Sequence, residues 1–207
     1  MMNYTLAAIT FAVGCASQAV SSTPKKIYFA GAMFSAQELL GNEIIAEAVN
    51  TLSKGRYLCI LPQQTTTVQT DERAIRDEDL HKVLSAEAAI FNFNGTELDS
   101  GTVVEYMVAK FADIPAVIIR TDFRALAPKA CHLWTYNPMA KFFPRTETLL
   151  IDAFDIHLKN KFNSTKTANE IAQQLVEALD KVITKKPLLK GKEKQHVMKW
   201  VNTIIKS

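Results

Sequence analysis

Three acidic residues in the middle of the chain have the types and spacing of a nucleophile with an acid–base partner. Asp99-Ser-Gly101-Thr-Val-Val-Glu105 puts a carboxylate, a glycine and a second carboxylate where a strand should hand over to a helix, and Asp79 stands twenty residues upstream. A positioned, ionised glutamate can attack the anomeric carbon of a sugar and form a covalent glycosyl-enzyme. A second carboxyl group with a raised pKa can protonate the departing group. Glu105 fits the first role, because the positive end of a new helix favours an ionised side chain there. Asp79 fits the second. Asp99 can cap the helix or accept a hydrogen bond from a sugar hydroxyl, and Gly101, with no Cβ, allows backbone or ligand to come close. Each residue also has an ordinary structural reading: a surface glutamate, an N-cap, a solvated helix aspartate. Only the combination points to chemistry.

The elements that must position these residues follow from periodicity. Ile27–Gly31 reads as a short buried strand. Ala36–Leu52 carries Leu39, Leu40, Ile44, Ala48 and Leu52 near helical spacing. Tyr57–Leu61 is a second strand, ended by Pro62, and Gln63–Thr70 reads as a polar loop of the kind that carries function. Glu72–Ala86 predicts a helix, Ala88–Phe93 a strand, Gly101–Ala112 a helix, and Ala116–Arg120 a fourth strand. Such alternation implies a parallel sheet covered by helices on both faces, a flavodoxin/Rossmann-like α/β fold of about five strands. Ala125–Pro144 reads as an ordered loop with a short helix, Leu149–Phe154 as a strand or a helix, and Thr167–Thr184 and Glu193–Ile205 as C-terminal helices. In a sheet of this kind ligands gather at the carboxyl ends of the strands. The segments Tyr28–Phe34, Gln63–Thr70 and Asn92–Glu105 therefore converge on one edge, and Asp79 must reach it from its own helix.

Composition narrows the class. With 207 residues, 48% hydrophobic and 22% charged, the chain is long enough for one substantial core and unlike a disordered or coiled-coil sequence. Its net charge of +3 gives no sign of a nucleic-acid partner. The lysines at 185, 186, 190, 192 and 194 read as a solvated surface. Cys15, Cys59 and Cys131 have neither metal-site spacing nor a disulfide framework. Residues 1–24 carry no charged side chain and read as a leader: a secretory or lipoprotein signal if 1–15 is processed, otherwise an extension of a cytoplasmic protein. Its apolar run is too short to span a bilayer as a helix. Residues 25–207 read as one α/β domain with a helical extension.

Ile27-Tyr28-Phe29-Ala-Gly31-Ala-Met-Phe34, Asp79-Leu80, the twenty-residue step to Asp99, and Asp99-x-Gly-x-x-x-Glu105 together resemble the nucleoside 2-deoxyribosyltransferase family. The resemblance covers roughly Lys26–Met139, and Asn137-Pro-Met139 is similar to that family's Asn-x-Met element. It implies transfer of a 2-deoxyribosyl group between nucleobases, with no cofactor and no metal. Glu105 would attack C1′ of a 2′-deoxyribonucleoside, Tyr28 would orient Glu105, Asp79 would handle the proton on the base, and Asp99 would bind the sugar 5′-hydroxyl. Phe34 would line the base pocket, Gln63 or Gln64 would touch the base, and Asn137, with Met139, would complete the site of a neighbouring subunit in a homo-oligomer. The chain departs from the family in its leader and in its two C-terminal helices.

Two other readings remain open. A related N-glycosidase would hydrolyse a 2′-deoxyribonucleoside or its 5′-monophosphate. Asp99 argues against the phosphate, since a carboxylate about 4 Å from it costs on the order of 1–4 kcal/mol. A non-catalytic nucleotide-sensing module on the same fold would bind without turnover.

Overall fold

The computed structural model describes residues 23–65, 71–122 and 135–205. Residues 1–22, 66–70, 123–134 and 206–207 lie outside them. Five strands, β1 (Lys25–Gly31), β2 (Tyr57–Ile60), β3 (Ala88–Asn92), β4 (Ala116–Arg120) and β5 (Thr146–Leu150), form a wholly parallel sheet in the order β2-β1-β3-β4-β5. Helices α1 (Ala36–Leu52), α2 (Pro62–Thr65), α3 (Glu72–Ser85), α4 (Ser100–Phe111), α5 (Ala153–Lys159), α6 (Ser164–Thr184) and α7 (Gly191–Ile205) alternate with the strands or follow them. This is the α/β architecture expected from the alternation. The ambiguous segment Leu149–Phe154 divides into the end of β5 and the start of α5. Strand order reverses between β1 and β3, which makes the gap beyond their carboxyl ends the natural ligand crevice.

Alternation along the strands sends neighbouring residues to opposite faces. Ile27 and Phe29 of β1 join Ile90, Val117 and Ile119 against α1, α5 and α6, where Val49, Leu175 and Leu179 are fully buried. Tyr28 and Ala30 face the other way, joining Phe91, Ile118 and Tyr106 under α3, α4 and α7. Both faces are covered, so the strands read as continuous apolar runs. A one-residue slip of β1 would bury Tyr28 on the wrong side of the sheet.

Local chemistry fixes the helix starts. Ser35 and Glu38 form a reciprocal capping box at α1, with the Glu38 N–H donating to Ser35 Oγ at 3.2 Å and the Ser35 N–H donating to Glu38 Oε2 at 2.9 Å. Asp71 caps α3 and Asp99 caps α4. Among the described residues no helix is long and apolar enough to cross a membrane.

The segment that joins α6 to α7 is fastened by one buried carboxylate. Asp113, just past α4 in the left-handed region at φ 55°, accepts hydrogen bonds from the Leu188 and Leu189 N–H groups at 2.8 and 3.0 Å. Its Oδ2 also pairs with the buried Arg145 guanidinium at 3.0 Å. Burial alone would raise this carboxyl, but the Leu189 N–H, Arg145 and the Leu188 N–H outweigh it and hold the pKa below the usual 3.8. At its far end α7 returns to α3, where Arg76 donates to the Ile205 carbonyl at 2.7 Å.

Asp113→Ala leaves the Arg145 charge buried and unpaired, at a cost of about 3 kcal/mol in urea unfolding at pH 7. A carboxyl with a depressed folded pKa contributes stability above its unfolded value. The difference from wild type should therefore shrink as pH falls below 3.8. Equal stability of the two proteins at pH 7 would contradict this account of the fastening.

Candidate active site

The site is built where β1, α3 and α4 meet on one face of the sheet. β1 delivers Tyr28, whose side chain is fully buried and whose hydroxyl donates to Glu105 Oε1 at 2.5 Å. Burial first, and then the Glu105 charge, push the Tyr28 phenol far above its ordinary value. Tyr28 is therefore a fixed donor and never a base at accessible pH. Glu105 sits in the second turn of α4, which Asp99 starts by accepting, through Oδ2, the Thr102 N–H and hydroxyl, each at 2.7 Å. Asp79, on α3, lies close enough to act electrostatically on both Tyr28 and Glu105.

The helix end was expected to keep Glu105 ionised, but desolvation dominates. Burial pushes the carboxyl up to about 7; the Tyr28 hydrogen bond and the Lys82 charge oppose this, while Asp79 and Asp99 add to it. A shift from 4.5 to about 7 is worth roughly 3 kcal/mol against the ionised form. Burial also raises Asp79, with Lys82 opposing and Glu78 adding. Both carboxyl groups are thus displaced toward the range in which protons move at neutral pH.

The loop that carries Asp99 is stitched to its neighbours. The buried Arg120 donates to the Phe93 carbonyl at 2.8 Å and the Gly95 carbonyl at 2.7 Å. Asn94 Oδ1 accepts from the Thr121 N–H at 2.6 Å. Beneath the crevice, Asn92 donates to the buried Asn42 at 2.9 Å, and Asn42 donates to the Ala32 carbonyl at 3.0 Å, which ties the ends of β1 and β3 to α1. A Cβ on Gly31 would come within 3.0 Å of Asn92 Cβ, so the strand ends approach because glycine stands there. Gly101 lies one turn before Glu105 on the same flank of α4, and a Cβ on it would sit 3.3 Å from Asp99 Oδ2.

Tyr28, Asp79, Asp99 and Glu105 are thus brought together, with Gly101 beside them. Five other candidates stand apart. Gln63 and Gln64 were read in a loop facing the base, but they occupy α2 and turn toward α1. Gln63 donates to the Leu39 carbonyl at 2.9 Å and Gln64 to Glu43 at 3.3 Å. Pro62 is the physical reason: placed at a first helical position, it starts a turn immediately after the strand. The rest of that segment, 66–70, lies outside the described residues. Phe34 is 81% exposed and encloses nothing within the described chain. Asn137 caps a short 3₁₀ turn, Pro138–Ala140, and Met139 beside it is 79% exposed. Both line a cavity of about 970 Å³ on the other flank of α4, with Val103, Val104 and Met107, away from Glu105.

One residue of the site was not singled out from sequence. Lys82 places its ammonium 2.8 Å from Glu78 and 3.3 Å from Asp79. The signal was present, since Glu78 and Asp79 precede Lys82 by four and three positions on a helix. Nothing in that spacing shows that the pair faces Glu105.

The family model for nucleoside 2-deoxyribosyltransferase matches residues 27–158, well over half of the chain, and the chain belongs to that family. It is a family of glycosyltransferase-type enzymes acting on nucleosides and nucleobases. No curated protein matches the chain. Similar solved structures include a conserved protein from Enterococcus faecalis V583, 20% identical over 87% of this chain and 99% of its own, with a TM-score of 0.48. A 2-deoxyribosyltransferase from Leishmania mexicana is 20% identical over 67% of this chain and 97% of its own, with a TM-score of 0.47. A third, the 2-deoxyribosyltransferase from Bacillus psychrosaccharolyticus, is 18% identical over 46% of this chain and 72% of its own, with a TM-score of 0.39. At these values the assignment rests on the family match.

The raised Glu105 carboxyl has a consequence for stability. Between the unfolded value of 4.5 and about 7 the folded chain keeps a proton that the unfolded chain releases, so stability falls as pH rises through this window. Glu105→Gln removes that loss. Its Tm should exceed that of wild type by more at pH 8 than at pH 5, and a pH-independent difference in Tm would contradict the burial account.

Proposed function

We propose that the protein cleaves the N-glycosidic bond of a 2′-deoxyribonucleoside and passes the 2-deoxyribosyl group to a second nucleobase through a covalent intermediate on Glu105. The observation that carries the proposal is the 2.5 Å hydrogen bond from the buried Tyr28 to Glu105, beside Asp79. It fixes one carboxylate oxygen and leaves the other to form a bond. Family membership supplies the substrate class.

In the first half-reaction the free oxygen of ionised Glu105 attacks C1′ while the bond from C1′ to the base nitrogen breaks. The departing base takes a proton from Asp79. In the second, an incoming base attacks C1′ from the opposite side, gives its proton to Asp79, and releases Glu105. Tyr28 holds Glu105 and favours its ionised state against the cost of burial. Asp99, whose Oδ2 is engaged by Thr102, turns its other oxygen to the 5′-hydroxyl of the sugar. Its charge selects a free nucleoside over a 5′-phosphate.

The remaining substrate contacts are assigned to parts displayed on the surface. Asn137 and Met139 are exposed beside an apolar flank of α4, where Val104 is 53% exposed. In this reading they complete the site of a second subunit in a homo-oligomer, and Phe34 closes over the base there. The reaction requires no metal and no cofactor. It suits a role in nucleoside salvage.

Incubation with 2′-deoxyinosine and adenine, followed by chromatography, tests the reading. New deoxyadenosine is the expected product. Release of hypoxanthine without new nucleoside would reassign the protein to hydrolysis, and no change in either would remove the catalytic reading. The value of kcat/KM should fall about tenfold per pH unit below about 7, as Glu105 takes up its proton. Glu105→Ala should lower turnover at least about a thousandfold while leaving the fold intact.

A further inference from the structure

We propose that Lys82 is the positioning residue of this site, its ammonium holding Asp79 beside Glu105 and supplying the positive charge against which both carboxylates are set. The inference rests on the reading of Glu105 and Asp79 as the reacting pair.

The geometry is specific. Lys82 has three N–H donors, and its Nζ lies 2.8 Å from Glu78 Oε1 and 3.3 Å from Asp79 Oδ1. Its side chain is only 17% exposed and that of Asp79 13%, so the pair is shielded from the screening that makes surface ion pairs weak. α3 and α4 both follow strands of a parallel sheet, so both begin at the carboxyl edge and run back from it. Lys82 lies three residues beyond Asp79 along α3. Its backbone therefore lies farther from the carboxyl edge of the sheet than that of Asp79.

The charged and titratable neighbours among the described residues can be named. Glu105 is faced by Tyr28 from β1, by Asp79 and Lys82 from α3, and by Asp99 at the start of its own helix. Lys82 is faced by Glu78 and Asp79 on its own helix and by Glu105 across from α4. Arg76, further up α3, is engaged with Asp77 and with the Ile205 carbonyl of α7. Among the described residues acting on Glu105, Lys82 is the one cation; the two aspartates raise its carboxyl and Lys82 lowers it. The proposed reaction needs Glu105 ionised while Asp79 carries the proton, and a cation beside two neighbouring acids eases that first ionisation. Lys82 supplies that charge.

The test is the titration of the Glu105 carboxyl carbon, followed by ¹³C NMR in glutamate-labelled protein and assigned with Glu105→Gln. In Lys82→Met the titration should move upward by roughly half a pH unit or more, and the acid limb of kcat/KM should move with it. Lys82→Arg, which keeps the charge, should restore both. KM for the nucleoside should change less than kcat, because Lys82 acts through Asp79 and Glu105. An unmoved titration in folded Lys82→Met would overturn the inference; if that variant does not fold, Lys82→Gln is read in the same way. The titration needs no turnover. An inactive wild type would therefore refute the proposed function while leaving the test of Lys82 intact.

Discussion

The hydrogen bond from Tyr28 to Glu105 is the constraint on which the site depends, because it joins β1 to α4 at the candidate nucleophile. Tyr28 reaches Glu105 only if β1 lies beside β3 in its observed register, with Tyr28 opposite Ala89. It also needs α4 to start where Asp99 caps it, so that Glu105 falls one turn after Gly101. A charge-assisted bond of this kind is worth about 1.5–3 kcal/mol. It opposes the effect of burial only in part: with the bond in place the carboxyl still stands at about 7, a net cost of roughly 3 kcal/mol against the ionised form. Glu105 is therefore a group that can lose its proton near neutral pH and still lie in a dry, nucleophilic setting.

The sheet divides its labour between faces. On the α1, α5 and α6 side the contacts are mostly apolar, and apart from Asn92 at the end of β3, which bonds Asn42, the side chains from β1, β3 and β4 serve packing. On the α3, α4 and α7 side the same strands place Tyr28 among aromatics such as Phe91, Phe93 and Tyr106, whose rings meet edge to face. Such rings exclude water and lower the local dielectric, which strengthens each charge interaction at Glu105. α7 belongs to this face; the segment leading into it is held by Asp113, and its last residue by Arg76. The C-terminal extension thus braces the helix that carries Asp79 and Lys82.

Much of this was legible in the residues. The five-stranded parallel architecture follows from alternation of apolar runs with helical periodicity, and the carboxylate array from the Asp79 and Asp99-x-Gly101-x-x-x-Glu105 spacing. Three things were not legible, for physical reasons. The protonation of Glu105 depends on how much water the neighbouring rings exclude, which is a property of packing; a reading from the helix dipole alone has the wrong sign. The orientation of Gln63 and Gln64 was set by Pro62, which starts a helical turn where the polar composition suggested a loop. Lys82 paired visibly with Glu78 and Asp79 along α3, yet its proximity to Glu105 on α4 required the tertiary contact between the two helices.

The most direct test of the central claim is mass spectrometry of the protein quenched in acid during turnover of a 2′-deoxyribonucleoside, followed by peptic digestion. The account predicts one 2-deoxyribosyl group esterified to the peptide that contains Glu105, located at Glu105 by fragmentation. It should be absent when nucleoside is omitted. An adduct on another side chain would contradict the account, as would sustained turnover with unmodified Glu105 under conditions that trap the intermediate.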